Sequence, residues 1–242
     1  MFHTLLIDPF YNTFIFLIGI MPAGDVGLAI IAVTLIIRII FYPLFASNIR
    51  TQMGMQALQG ELDEINTKHK DDAQKRGELT MALFRKHKVR PISAFLSLLV
   101  QIPVFIALYY AFFNEGLNPI ATDLLYSFVH VPSVISTNFF GLVDLLATHN
   151  FVIAILVAVL QYAVVLYSFA RMDTPKSSAK QTDKERMMGM QRKIMLYFLP
   201  ALMGVVSYSV PAAVGVYFIA GSVISLAQEW LIQRQMLAEK AA

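Results

Sequence analysis

The sequence predicts an all-α polytopic membrane protein: five transmembrane helices, a cytoplasmic two-helix hairpin and an N-terminal interfacial helix. Three observations predict it. The 242 residues are 57% hydrophobic and only 14% charged, a balance of lipid-embedded chains rather than soluble domains. Apolar runs able to cross a bilayer as helices recur between polar segments. The nineteen Lys and Arg are sorted: nine lie in 48–90, seven in 171–193, two in the tail, and the last is Arg38. Cytoplasmic segments retain positive charge. The sorting therefore predicts an outside N-terminus, five spans and a cytoplasmic C-terminus.

Residues 1–24 hold no Lys or Arg, unlike the basic start of a secretory signal. The apolar run Phe14 to Ile20 is too short to span, so this segment reads as an extracytoplasmic helix lying on the membrane. The first span covers 25–47, with Pro43 placed to bend it. Residues 48–90 are water-soluble. Met55, Leu58, Leu62 and Ile65 recur at helical spacing, Leu79, Leu83 and Phe84 supply a partner stripe, and Asp71-Asp72 between them can cap a second helix. This is a helical hairpin with a narrow seam, expected to be mobile.

The second span covers 91–113. Residues 114–148 form an extracytoplasmic loop without Lys or Arg, carrying Glu115, Asp123 and Asp144. The third span covers 149–170, and a basic cytoplasmic loop follows at 171–193. The fourth, 194–208, is short and contains Pro200. Ser207-Tyr208-Ser209-Val210-Pro211 is a tight turn. The fifth, 211–232, ends on Trp230, an interfacial anchor, and 233–242 is a cytoplasmic tail with Arg234 and Lys240.

Arg38 is the residue this layout must explain. Measured along the helix from Arg50 it lies about 18 Å in, near the centre of a core about 30 Å thick. An arginine there costs about 2.5–3.5 kcal/mol on the insertion scale and should face protein or water. Thr34, Ser97, Gln101, Gln161, Ser222, Ser225 and Gln228 are the polar side chains within spans that could share a surface with it. No Asp or Glu lies deep in any span. Two readings follow. Either Arg38 bonds a carbonyl or a neighbouring Gln and holds the bundle together, or it lines a wet cavity and receives an acidic group from elsewhere.

Catalytic chemistry is not signalled. Zero cysteines exclude disulfides, thiolate metal sites, a lipid-modified cysteine and cysteine catalysis. No nucleotide, zinc-protease or serine-hydrolase motif occurs. The histidines at 3, 69, 87, 130 and 149 have no ligand spacing. The chain reads as a non-enzyme without metal or cofactor. Its basic segments suit anionic lipid and could meet RNA phosphates, but nothing specifies a nucleic-acid sequence.

Thr34-Leu35-Ile36-Ile37-Arg38 with Pro43-Leu44 resembles the first core span of the YidC membrane insertases, bacterial relatives of the Oxa and Alb insertases. Met55-Gln56-Ala57-Leu58-Gln59 through Lys70-Asp71-Asp72 resembles their cytoplasmic hairpin. Gln101-Ile102-Pro103-Val104-Phe105-Ile106-Ala107-Leu108-Tyr109 resembles their second span, and Pro211 through Tyr217 with Gln228 and Leu231-Ile232 their last. The resemblance covers about residues 20–236. Departures are Arg90-Pro91-Ile92-Ser93 where the family often has Asn-Pro and glycines, Phe140 near Asp144-Leu145 where it has Trp, and Ala213 where Gly is common. The resemblance is to a short form without a large domain before the first span.

The resemblance implies a multi-pass insertase and chaperone of the bacterial cytoplasmic membrane. Its clients would be small nascent membrane proteins, inserted independently of Sec or beside the Sec translocon, with a ribosome docking at the tail. It implies a hydrophilic groove open to cytoplasm and lipid, in which Arg38 receives acidic residues of the incoming tail. Thr34, Ser97, Gln101, Gln161 and Ser222 would line that groove. Tyr162, Tyr217 and Phe218 would mark the lipid-facing slide for the client's apolar segment. The rivals are a small secondary transporter or channel for an anionic solute, with Arg38 as its site, and a structural assembly factor without a groove.

Overall fold

A computed structural model describes residues 8–87, 89, 120, 122–169, 190 and 192–241. The expected second span, with Ser97 and Gln101, and nearly all of the 171–193 loop lie outside these residues. The described chain is mostly helical: α1 (Asp8–Ile20), α2 (Val26–Ile40), α3 (Tyr42–Ala57), α4 (Gln59–Lys68), α5 (Ala73–Lys86), α6 (Phe151–Phe169), α7 (Leu199–Ser209) and α8 (Ala212–Ala241). Strands β1 (Asn138–Phe139) and β2 (Val143–Asp144) form a small antiparallel hairpin. Among the described residues, α6 and α8 are each long and apolar enough to cross a membrane, and α2 with α3 makes a third if the broken pair is one span.

The chain divides into two compact units, 1–37 with 103–227 and 38–102 with 228–242. In the first, α1 buries Tyr11, Phe14, Ile15, Leu17 and Ile18 in a core shared with Val26, Ala29, Ile30 and Val33 of α2, Ile153 and Val157 of α6, and Ala213, Val216 and Tyr217 of α8. One face of α1 thus packs on protein. Its buried Asn12 fixes the contact. The side-chain amide donates to the carbonyls of Asp8 and Leu124, both at 2.8 Å, and its oxygen accepts the Tyr126 N–H at 2.6 Å.

Helices α6 and α7 approach closely because Gly204 has no side chain. A Cβ there would lie 3.0 Å from the Ala158 Cβ and 3.2 Å from the Ala154 carbonyl oxygen. Asn150 caps α6, its Oδ1 accepting the Ile153 N–H at 3.1 Å. Just before α7, residues Ile194–Phe198 form a wide π-type turn. Pro200 supplies no N–H to the Leu196 carbonyl, and such bulges absorb that loss.

The segment between Leu124 and Asn150 ties neighbouring helix ends together through its backbone. Ser136 exchanges bonds with Gly24 and Val26, Ala212 donates to Ala147, Ala213 to Leu145, and His149 to Tyr208. Asp25 anchors the same joint. Its Oδ1 accepts the Leu28 N–H at 3.0 Å, capping α2, and its Oδ2 accepts the Phe140 N–H at 3.1 Å. Phe140 and Gly141 hold left-handed φ of 50° and 70° at the strand turn. Gly24 (φ 62°) leaves no room for a side chain, since a Cβ would run into the Val134 carbonyl.

In the second unit α4 and α5 are joined by a short turn. Leu58, Leu83, Phe84 and Val89 are buried there, with Leu62 and Ile65 packed against them. Asp72 caps α5, its Oδ1 accepting the Lys75 N–H at 2.9 Å. Glu64 and Lys68 pair at 3.3 Å, as their spacing of four with the acid first favours. The stretch 25–47, expected as one span, is instead two helices broken at Phe41. Pro43 lacks the N–H that would bond the Ile39 carbonyl and disfavours helix at Tyr42. Past the break α3 runs on to Ala57, well into the polar segment. The tail differs too: 233–241 continues α8 as helix.

Candidate functional site

Arg38 lies in the last turn of α2, half-buried. Gln228 of α8 is only 7% exposed, and its Nε2 donates to the Arg38 carbonyl at 3.2 Å. The same side chain turns its Oε1 to the guanidinium, accepting from Arg38 Nη1 at 3.3 Å. The guanidinium carbon sits 4.5 Å from the centre of the Phe45 ring, within cation–π range. The Gln228 amide and the Phe45 ring thus both contact Arg38.

Of the two readings of Arg38, the contact with a neighbouring Gln is the one the geometry contains. The amide contact at 3.3 Å is longer than the about 2.7–2.9 Å of charge-assisted bonds between guanidinium and carboxylate.

Other expected groove residues belong to the first unit. Thr34 is buried, and its hydroxyl donates to the Ile30 carbonyl at 2.6 Å, the local back-bond usual for threonine in helices. The Ser222 hydroxyl donates to Gln161 Oε1 at 3.5 Å, a weak link between α8 and α6. Tyr162 is half-buried, with its ring centre 6.0 Å from that of Tyr197. Tyr217, expected on a lipid-facing slide, is 5% exposed and part of the core. The whole run Pro211–Tyr217 is buried, so neighbouring protein covers that turn of α8 on every side. Phe218 is half-buried against the same core.

Two residues of consequence were not singled out from the sequence. Phe45 follows Arg38 by seven positions, but the break at Phe41 lies between them, so no helical spacing could have flagged the contact. Asp25 precedes an apolar run as an N-cap residue should, but its second partner, Phe140, is 115 positions away. Among the described residues no cluster of His, Asp or Glu could hold a metal ion.

Residues 18–240 match the family model described as 60Kd inner membrane protein. A protein of Oceanobacillus iheyensis named membrane protein insertase YidC is 31% identical over 218 residues, covering 88% of this chain and 77% of that one. Proteins of the same name from Anaeromyxobacter and Nitratidesulfovibrio vulgaris are 29% and 31% identical over 89% and 88% of this chain. The chain spans only 34% and 36% of those two.

Proposed function

The chain belongs to the 60 kDa inner membrane protein family, and from that premise we propose that it inserts and helps fold small membrane proteins. Arg38 carries the reading: a half-buried arginine in the last turn of an apolar helix, beside the Gln228 amide and the Phe45 ring. The client's acidic tail meets Arg38, where partial desolvation makes the pairing stronger than in bulk water. Its apolar segment moves into lipid, and that partition drives the process without a nucleotide. The pairing must be transient, because a permanent ion pair would trap the client.

In this reading the chain has five spans in the inner membrane, an outside N-terminus and a cytoplasmic tail. Helices α4 and α5 are the cytoplasmic hairpin that meets the client first. Thr34, Ser97, Gln101, Gln161 and Ser222 are the other groove residues that the resemblance implies. Tyr162 and Phe218, half-buried on the surface of the first unit, mark the slide, and Tyr217 supports it from behind. The basic segments meet anionic lipid and a ribosome, and the Sec translocon is a partner for larger clients.

Site-specific photocrosslinking tests the proposal. Probes at positions 38, 162 and 218 should capture a ribosome-stalled single-span client at intermediate chain length and lose it on release. No crosslink at any of the three, with the protein folded in the membrane, overturns the reading. Saturable uptake of an anionic solute by vesicles holding the purified protein would then favour a transporter.

A further inference from the structure

We propose that the tip of the β1–β2 hairpin, residues 139–143, is seated in lipid, among the headgroups and upper acyl chains of the leaflet at which α2, α6 and α8 begin. The inference needs only a membrane protein and stands apart from the insertase reading. The turn is the first observation. The Leu142 N–H bonds the Phe139 carbonyl at 3.0 Å around two residues of positive φ, Phe140 at 50° and Gly141 at 70°. This is a type I′ turn, whose first central position favours Asn, Asp or Gly. A phenylalanine there is uncommon and strained, and its ring, 65% exposed, is not what a solvated turn calls for. Leu142 is 86% exposed, more than any other large apolar side chain among the described residues.

The base of the hairpin has the opposite character. Asn138 and Asp144 face each other across the ladder, next to the Phe139 and Val143 pair, and both are exposed. Polar base and apolar tip are two or three residue rises apart, roughly 7–10 Å. Interfacial elements sink about 5–10 Å into the headgroup and acyl boundary, so the two lengths agree. Residues 120–148 hold no Lys or Arg, and Asp123 and Asp144 are their only carboxylates. The backbone then places the hairpin beside helix starts. The Leu145 and Ala147 carbonyls accept from Ala213 and Ala212 at the start of α8, and Asp25, just before α2, accepts the Phe140 N–H. Helix α6, able to span, opens with Phe151 and Val152, 68% and 66% exposed. Its exposed apolar surface thus begins at its first turn and continues that of Leu142 and Leu146. One lipid layer accounts for the whole stretch, whereas a protein partner would account for the tip alone. Bonded to the starts of α2 and α8, the seated tip holds both at one level of the bilayer.

The test uses the full-length chain in vesicles of phosphatidylethanolamine and phosphatidylglycerol. The sequence has no cysteine, so Leu142→Cys takes a nitroxide spin label at that site alone, and so exposed a side chain is exchanged without repacking. Power-saturation EPR compares collisions with oxygen, which concentrates in lipid, and with a nickel chelate, which stays in water. Ile155→Cys, on the exposed side of α6, calibrates lipid. Asp71→Cys, exposed between α4 and α5, calibrates water. The label at 142 should lie about 5–10 Å below the phosphates, and one at Asn138→Cys should lie shallower. Nickel collisions at 142 equal to those at 71 overturn the proposal. Equal depth at 138 and 142 also overturns it, since the label itself would then be drawing the hairpin in. Shielding at 142 from both oxygen and nickel overturns it in favour of a protein contact, a second copy if dilution into excess lipid relieves it. A label open to water until a membrane-protein client is added overturns it in favour of the client.

Discussion

Asp25 should be the costliest single carboxylate to remove from the first unit. It is 7% exposed and bonds two backbone N–H groups, one from Leu28 in the first turn of α2 and one from Phe140 across the chain. Replacing it with Ala removes a helix cap, worth about 1 kcal/mol. It also removes a bond to a charged acceptor, worth about 1.5–3 kcal/mol, and leaves the Phe140 N–H short of a partner. The carboxylate further favours the positive end of α2. Phe140 is held at a left-handed φ of 50°, and without Asp25 its strained turn has less to keep it in place. The expected loss is about 3 kcal/mol, or roughly 6–12 °C in Tm for a chain of this size. Thermal unfolding of the purified protein in detergent measures it. Asp25→Asn should fall between, because its Oδ1 can still cap Leu28 while its amide presents a donor to the Phe140 N–H. Asp144→Ala is the control, since that exposed side chain accepts the Leu146 N–H two residues away. A shift below about 2 °C for Asp25→Ala, less than a single such bond is worth, refutes the reasoning, as does Asn performing no better than Ala.

Asn12→Ala should cost about 2–3 kcal/mol through its three buried bonds, seen as faster amide exchange over residues 122–130. Gly204→Val should force α6 and α7 apart and cost about 1–3 kcal/mol by overpacking, read as a lower Tm in the same detergent assay. Arg38→Lys should retain part of the insertion of an acidic-tailed client that Arg38→Ala loses, because the charge stays while the planar fork goes; the protease-protected fraction measures both. Leu83→Ala should cost about 2 kcal/mol by opening the small α4–α5 cluster, detected as earlier proteolytic cleavage between residues 58 and 87.

Some of this molecule is written in local pattern. The apolar run from Phe151 gives α6 nearly to the residue, because one long uninterrupted run has one outcome in lipid. The stripe Leu58, Leu62, Ile65 and its partners Leu83 and Phe84 do meet, since 3.6-residue periodicity brings them to one face. Pro43 signals a bend, but a bend and a full break at Phe41 have the same sequence signature. Beside the break the Arg38 carbonyl accepts from Gln228, and a contact 190 positions away has no local signal. The polar side chains in the spans could be collected but not paired for the same reason. The burial of Tyr217 was not legible because a helix that is apolar all round gives no sign of which side meets protein. Burial there is decided by α1, whose packing depends on Asn12 reaching Leu124 and Tyr126, and by the outer loop, whose bonds run through backbone atoms that carry no sequence information.

The unbroken course of α8 past Gln228 has a mechanical side. Arg234, its ring-stacked guanidinium 5.0 Å from Trp230, follows Gln228 by six residues on the same helix, about 9 Å along the axis and roughly 120° around it. The two side chains therefore leave the rod in different directions. A macromolecule gripping the Arg234 side would not cover Gln228, yet it could not turn or draw the rod without shifting the amide that rests on Arg38. Whatever engages the end of α8 has a hand on the arginine, with no flexible joint between them to let the motion slip.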